Sequence, residues 1–271
     1  MHCCSFYTDE AEYGEGTLPL LRCSLLSAAH GFSCRIGGVS TPAHLSSLNL
    51  GYGVGDSEDD VRINRSRFFS AVASHPLQDN DAVWAHQIHS AMVRCVGRND
   101  IGRDDLSLDG FVTRESGVLL FIRTADCCPL LFCDAENGVI GACHAGWRGS
   151  VADIAGETVR AMMEIGADIR NIRCAIGPCI HSCCYEVGDD FVETLCTSLS
   201  PDITKRALQR YPGGRYHADL TEINRMLLIR RGMVPDHIAI APDCTCCQPS
   251  RYFSHRASGG RRGLMGAGIT L

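Results

Sequence analysis

The chain has 271 residues, 45% of them hydrophobic and 21% charged, which is the balance of a globular protein able to bury a core. Its net charge of −6 gives no basic footprint, so a nucleic-acid surface is not expected. No apolar run is long enough to cross a bilayer, and the acidic start MHCCSFYTDEAEYGEG does not read as a signal peptide, which points to the cytoplasm.

In chain order, Gly and Pro fall evenly and no linker-like block breaks the sequence. A single domain over residues 1–271 is therefore expected, with 1–28 as a variable N-terminal segment. The first helix is expected at 58–74, with Val61, Phe68, Phe69 and Val72 on one face. Short apolar runs follow as strands: VLLFIR (118–123), CPLLFC (128–133) and GVIGACH (138–144). The turn DAENG joins the last two as an antiparallel hairpin. A helix at 151–166 has Ser150 as its expected N-cap and Gly166 as its stop. Then come a strand at 172–177, a helix at 188–199, a helix at 218–231 and a strand at 237–241. Strands and helices mix without strict alternation, so the fold class is α+β rather than doubly wound α/β.

Seventeen cysteines run from Cys3 to Cys247, an odd number in a long chain with no export signal. That pattern predicts mostly free, buried thiols in a reducing compartment, with a few as ligands or nucleophiles. The strand ends supply the candidates. Cys127 follows one strand after a short turn, and His144 closes the next, so a hairpin brings them to one edge of a sheet. Upstream, WAHQIHS offers His86 and His89. Thiolate plus imidazole suits Zn²⁺ or copper, and a Cys–His pair equally suits nucleophilic catalysis. Arg148, between two glycines beside a helix start, is placed for an anion. The segment GPCIHSCCYE touches on a deaminase pattern, but its spacing is wrong and no His-x-Glu partner exists.

Taken together, HGFSCRIGGVS, NLGYGVGD, QIH, DG…TADCCPLLF, HAGWRG, IGPCI…CCYEVG, DL…NR and FSHR occur in this order. The chain resembles the laccase-domain family, historically named multicopper polyphenol oxidases, over roughly residues 29 to 271. The resemblance implies a layered sandwich of two mixed sheets with helices packed outside. It implies one His–Cys–His cluster, which falls on His89, Cys127 and His144 as catalytic residues and as metal ligands, with zinc or copper as the ion. His86 drops out. Arg35 matches a family pocket residue, and Arg35, Arg148 and Arg256 become the phosphate-binding candidates. The implied activity is purine nucleoside phosphorolysis, with adenosine deamination and methylthioadenosine phosphorolysis beside it. The expected partners are therefore a nucleoside and phosphate, with neither nucleic acid nor membrane, and the chain is expected as a monomer or homodimer. An amide hydrolase acting on cell-wall precursors is the alternative. A copper phenol oxidase fits least, because eleven histidines with no His-x-His pair cannot supply a multicopper centre. One departure is visible: Leu264 stands where the family carries an arginine, and Arg261 or Arg262 is the available substitute.

Overall fold

The computed structural model describes residues 6–271. One six-stranded sheet runs, across its width, β1 (Phe6–Glu12), β2 (Thr17–Cys23), β3 (Ala29–Ser33), β15 (Met265–Thr270), β7 (Leu119–Thr124) and β4 (Ala82–Val83). A second six-stranded sheet runs β14 (Ile238–Ile240), β10 (Arg173–Ile176), β8 (Cys128–Asp134), β9 (Val139–Ala145), β6 (Gly110–Thr113) and β5 (Val93–Cys95). A small third sheet holds β11 (Glu186–Val187), β13 (Tyr216–Ala218) and β12 (Leu208–Arg210). Pairing is mostly antiparallel. The parallel exceptions are β4 with β7, β5 with β6, and β10 with β14.

Strand alternation builds the layers. On β8, Leu131 and Cys133 face the first sheet, while Cys128, Leu130 and Phe132 face the opposite way. On β7, Leu120 and Ile122 meet the second sheet, while Leu119 and Phe121 meet helix α1 (Glu58–Ala73) through its Phe68, Phe69 and Val72. Outside the second sheet lie α2 (Trp147–Val151), α3 (Ile154–Glu164), α4 (Asp189–Ser198), α5 (Pro201–Ala207) and α6 (Leu220–Arg230). The order helix, sheet, sheet, helices is the α+β layered sandwich that the sequence led us to expect. Both central strands are buried on both faces, which is why they read as near-continuous apolar runs.

The helix expected at 151–166 is corrected. Helix α2 begins at once after Gly146, and Asp153, in the left-handed region at φ 63°, breaks the path. The N-cap of α3 is Asp153, whose carboxylate accepts from Gly156 N. Ser150 caps nothing; its hydroxyl is buried and accepts from Asn224 Nδ2 at 2.9 Å. Of the segment before residue 29, the described residues supply β1 and β2 to the first sheet, paired from Phe6–Cys23 to Glu12–Thr17.

Candidate active site

The β8–β9 hairpin is in register from Cys128–Ala145 to Asp134–Val139, so the start of β8 and the end of β9 share one sheet edge. His144 follows Ile140 and Ala142 on the face between the sheets, at the last turn of the pleat before the chain leaves the strand. Cys127 sits one residue before β8, in the turn from β7. That turn is held by Asp126, at φ 88°, and by the Thr124 hydroxyl donating to Cys127 O. Asp126 is buried and ties four segments together. Its Oδ1 accepts from Thr245 Oγ1 at 2.6 Å, its Oδ2 from Arg256 N at 2.7 Å, and its carbonyl from Ile180 N at 2.9 Å.

His89 arrives on the loop after β4, also with positive φ. Asp109, fully buried, organises that loop. Its carboxylate accepts the backbone N–H groups of Ile88, His89 and Ser90 at 3.2, 3.0 and 2.7 Å, and the Ser90 hydroxyl at 2.8 Å. The same carboxylate takes His144 Nδ1 at 2.9 Å. One acid thus sets both histidines, leaving the far edge of the His144 ring for Cys127. The two rings stand edge-to-face with centroids 4.9 Å apart. Ligand atoms of His89, Cys127 and His144 all lie within 4.8 Å of one another. Gly146 closes the back: a Cβ there would come within 2.7 Å of His89 Cδ2 and 3.2 Å of Cys127 Sγ.

The electrostatics follow from these contacts. Burial alone would push the Cys127 thiol up, but the two facing imidazoles outweigh it and hold it well below an ordinary thiol. Burial would likewise lower His144, but the Cys127 sulfur and the Asp109 carboxylate hold it well above an ordinary histidine. Burial would raise Asp109 too, yet the hydrogen bonds from His144 and Ser90 bring it down to about 2. The result is a thiolate–imidazolium pair backed by a carboxylate. One thiolate and two imidazoles also fit a tetrahedral ion with an open position, and the Asp109–His144 hydrogen bond is the support such a ligand takes.

The cluster opens into a cavity of about 430 Å³ lined also by Gln87, Arg123, Tyr185, His255, Arg256 and Arg262. Residues 29–271 match the family described as multi-copper polyphenol oxidoreductase laccase. The chain belongs to this family. A relative named purine nucleoside phosphorylase YlmD, from Geobacillus stearothermophilus, is 37% identical over 258 residues, 90% of this chain and 92% of the relative. A protein named adenosine deaminase RL5, from an unknown prokaryotic organism, is 32% identical and covers 88% of this chain and 92% of its own. The crystal structure of the Bacillus licheniformis protein YfiH superposes with a TM-score of 0.86 at 31% identity, over 97% of this chain and 99% of that one.

Of the residues singled out in this laccase-domain sequence, His89, Cys127, His144 and Arg256 meet at the cavity. His86 does not: it is exposed and packs against Trp84. Arg35 lines a smaller neighbouring recess with Arg261 and Arg262. Its guanidinium is engaged by the carbonyls of Ser46, Pro249 and Ala43 and lies over Phe253. Arg148 is exposed and lies over Trp147, away from the cavity. Leu264 does line the cavity, and so does Arg262, whose buried Nε has no protein partner. Asp109, Asp126 and Gln87 carry no role in the sequence reading, although Asp109 belongs to the quoted DG motif. Gln87 pairs with the main chain of Arg123 through both ends of its amide, at 2.7 and 2.8 Å, and so fixes the His89 loop to β7.

Proposed function

We propose that this chain is a purine nucleoside phosphorylase, with adenosine deamination as a second activity of the same cavity. The observation that carries the reading is the His89–Cys127–His144 cluster at the floor of a cavity that also receives guanidinium groups. In phosphorolysis a phosphate oxygen attacks C1′ as the bond to the purine breaks, giving free base and ribose-1-phosphate. The chain must therefore hold a dianion next to a sugar that gains positive charge. Of the arginines first considered for phosphate, Arg256 is at the cavity, and Arg262 joins it where Arg35 and Arg148 do not. The free Nε donor of Arg262 suits a ligand oxygen. Arg256 donates to the carbonyls of Cys184 and Glu186 and so presents a fixed face.

His89, Cys127 and His144 would hold one zinc ion, the metal this donor set fits best. When bound, zinc supplies Lewis acidity to a substrate oxygen or to water. Asp109 keeps the His144 tautomer and orientation, Gln87 and Asp109 fix the His89 loop, and Tyr185 closes one wall against water. The cluster offers three ligands, enough for one ion, so multicopper oxidation is not the activity we assign.

A second reading rests on a specific observation. The series Cys127, His144, Asp109 has the order of a nucleophile, base and orienting acid, which suits amide hydrolysis of a cell-wall precursor. The deciding experiment incubates the pure protein with inosine, adenosine and a nucleotide-linked muramyl amino acid, with and without phosphate, and weighs the products. Phosphorolysis gives hypoxanthine and ribose-1-phosphate only when phosphate is present. Replacing Arg262 with Ala should raise the phosphate KM and lower kcat/KM by about 10²-fold, with adenosine deamination less affected. Release of an amino acid from the muramyl substrate, with no phosphate-dependent loss of inosine, would select the hydrolase instead.

A further inference from the structure

Two cysteines of the GPCIHSCCYE segment, Cys183 and Cys184, join Cys244 and Cys247 in a second cluster. Ligand atoms of Cys183, Cys184, Cys244 and Cys247 all lie within 4.8 Å of one another. Cys247 Sγ is 3.5 Å from Cys183 Sγ and 3.3 Å from Cys184 Sγ. Cys183 and Cys184 come from the tight turn before β11, where the N–H groups of Cys184 and Tyr185 both donate to His181 O. Cys244 and Cys247 come from the turn after β14, in the spacing Cys-x-x-Cys. The two turns are joined beside the cluster by a parallel bridge between Cys179 and Cys244. His181 N donates to Cys244 Sγ at 3.4 Å. The main-chain N–H groups of Cys246 and Cys247 are also directed at that sulfur. Amides folded around the first sulfur of a Cys-x-x-Cys turn are what a thiolate needs in order to ligate a cation.

We propose that Cys183, Cys184, Cys244 and Cys247 bind a second, structural Zn²⁺ in a four-thiolate site distinct from the His–Cys–His cluster. The sulfur geometry supports this in two ways. Each sulfur has the others as neighbours, so no single pair is set apart for a disulfide. Four sulfurs also satisfy a tetrahedral ion completely, leaving no open position for substrate. Zinc binding displaces the thiol protons to solvent and lets the four sulfurs share one cation.

The site has a consequence for the cavity. Cys184 and Cys247 are 63 residues apart in sequence, so an ion between them closes a long loop. The turn it clamps carries Tyr185, and Arg256 donates to the carbonyls of Cys184 and Glu186 on that turn. The second ion therefore holds one wall of the cavity without touching substrate.

The test is metal counting on the full chain, purified with and without added zinc. Cys247 is exposed, so Cys247→Ser should fold, lose one zinc equivalent relative to the wild type, and melt about 5 °C or more lower. The double variant Cys127→Ser/His144→Ala, which removes ligands of the first site, should still retain one zinc. Loaded with cobalt(II) instead, it should show sulfur-to-cobalt charge-transfer absorption, and Cys247→Ser added to it should abolish that band. Should the double variant not fold, the wild-type versus Cys247→Ser difference in zinc decides alone. The proposal is overturned if Cys247→Ser leaves the zinc count unchanged. It is also overturned if non-reducing mass analysis finds Cys247 joined to Cys183 or Cys184 in the protein as purified.

Discussion

Cys127 and Cys143 lie on one hairpin and meet opposite fates. Cys143, in the middle of β9, is fully buried under α3, and burial pushes its thiol up to about 12. Cys127, just outside the start of β8, faces two imidazoles, one of them backed by a carboxylate, and its thiol falls to about 6. Burial acts to raise both thiols, so burial alone does not make a cysteine inert. The partners decide: two imidazoles face Cys127, whereas Cys143, paired with Leu130 across the hairpin, has only the Thr158 hydroxyl, which does not offset its burial. The same contrast separates Cys127 from the adjacent Cys128. Cys128 is wholly buried in the helix-side core, as alternation demands.

This comparison can be broken most severely at Cys127 itself. Cys127→Ser should lower kcat/KM for inosine by about 10³-fold or more, with an unchanged circular dichroism spectrum and Tm. Next in size is Asp109→Asn, which removes the acid that orders both histidines. Metal affinity and activity should each drop by about 10- to 100-fold, and elemental analysis of the dialysed protein reads the first of these. Gly146→Ala should cost about 10-fold in activity, because its new Cβ needs the space of His89 Cδ2 and of Cys127 Sγ. The backbone there, at φ −69°, is permissive, so a clash with the site and not chain strain would be the cause. The smallest effect belongs to Cys128→Ala: near-normal turnover and a loss of about 1 kcal/mol in denaturant unfolding. Equal losses of activity at Cys127 and Cys128 would erase the distinction between the site-facing and the core-facing cysteine.

Much of this was legible in the sequence because periodicity reports burial. The runs at 118–123, 128–133 and 138–144 fall within a residue or so of β7, β8 and β9, and the helix at 58–74 matches α1. The DAENG turn alone placed Cys127 and His144 at one edge. What escaped is of two kinds. Strands such as β1, with three charged residues among its seven, carry too weak a pattern, being at the rim of a sheet. The arginines escaped because sequence neighbours suggested a helix start beside Arg148, whereas long-range carbonyls at Ser46 and Pro249 take up Arg35 and a ring takes up Arg148. Arg262, two residues upstream of Leu264, lines the cavity, and only the folded C-terminal loop shows which of the adjacent pair Arg261 and Arg262 reaches it. Asp109 is invisible to spacing arguments because its four loop donors and His144 converge only after β6 pairs with β9.

The most direct measurement is the pH dependence of alkylation at individual cysteines in metal-free protein, read by peptide mass mapping after brief iodoacetamide treatment. The Cys127 thiol is depressed, so its thiolate is present above the midpoint and disappears as pH falls through about 6. Labelling of Cys127 should therefore already be complete near neutrality, with a midpoint near pH 6, while Cys143 stays unlabelled until the protein unfolds. A Cys127 midpoint at the ordinary thiol value of about 8.5, or labelling of Cys143 in step with it, would contradict the account.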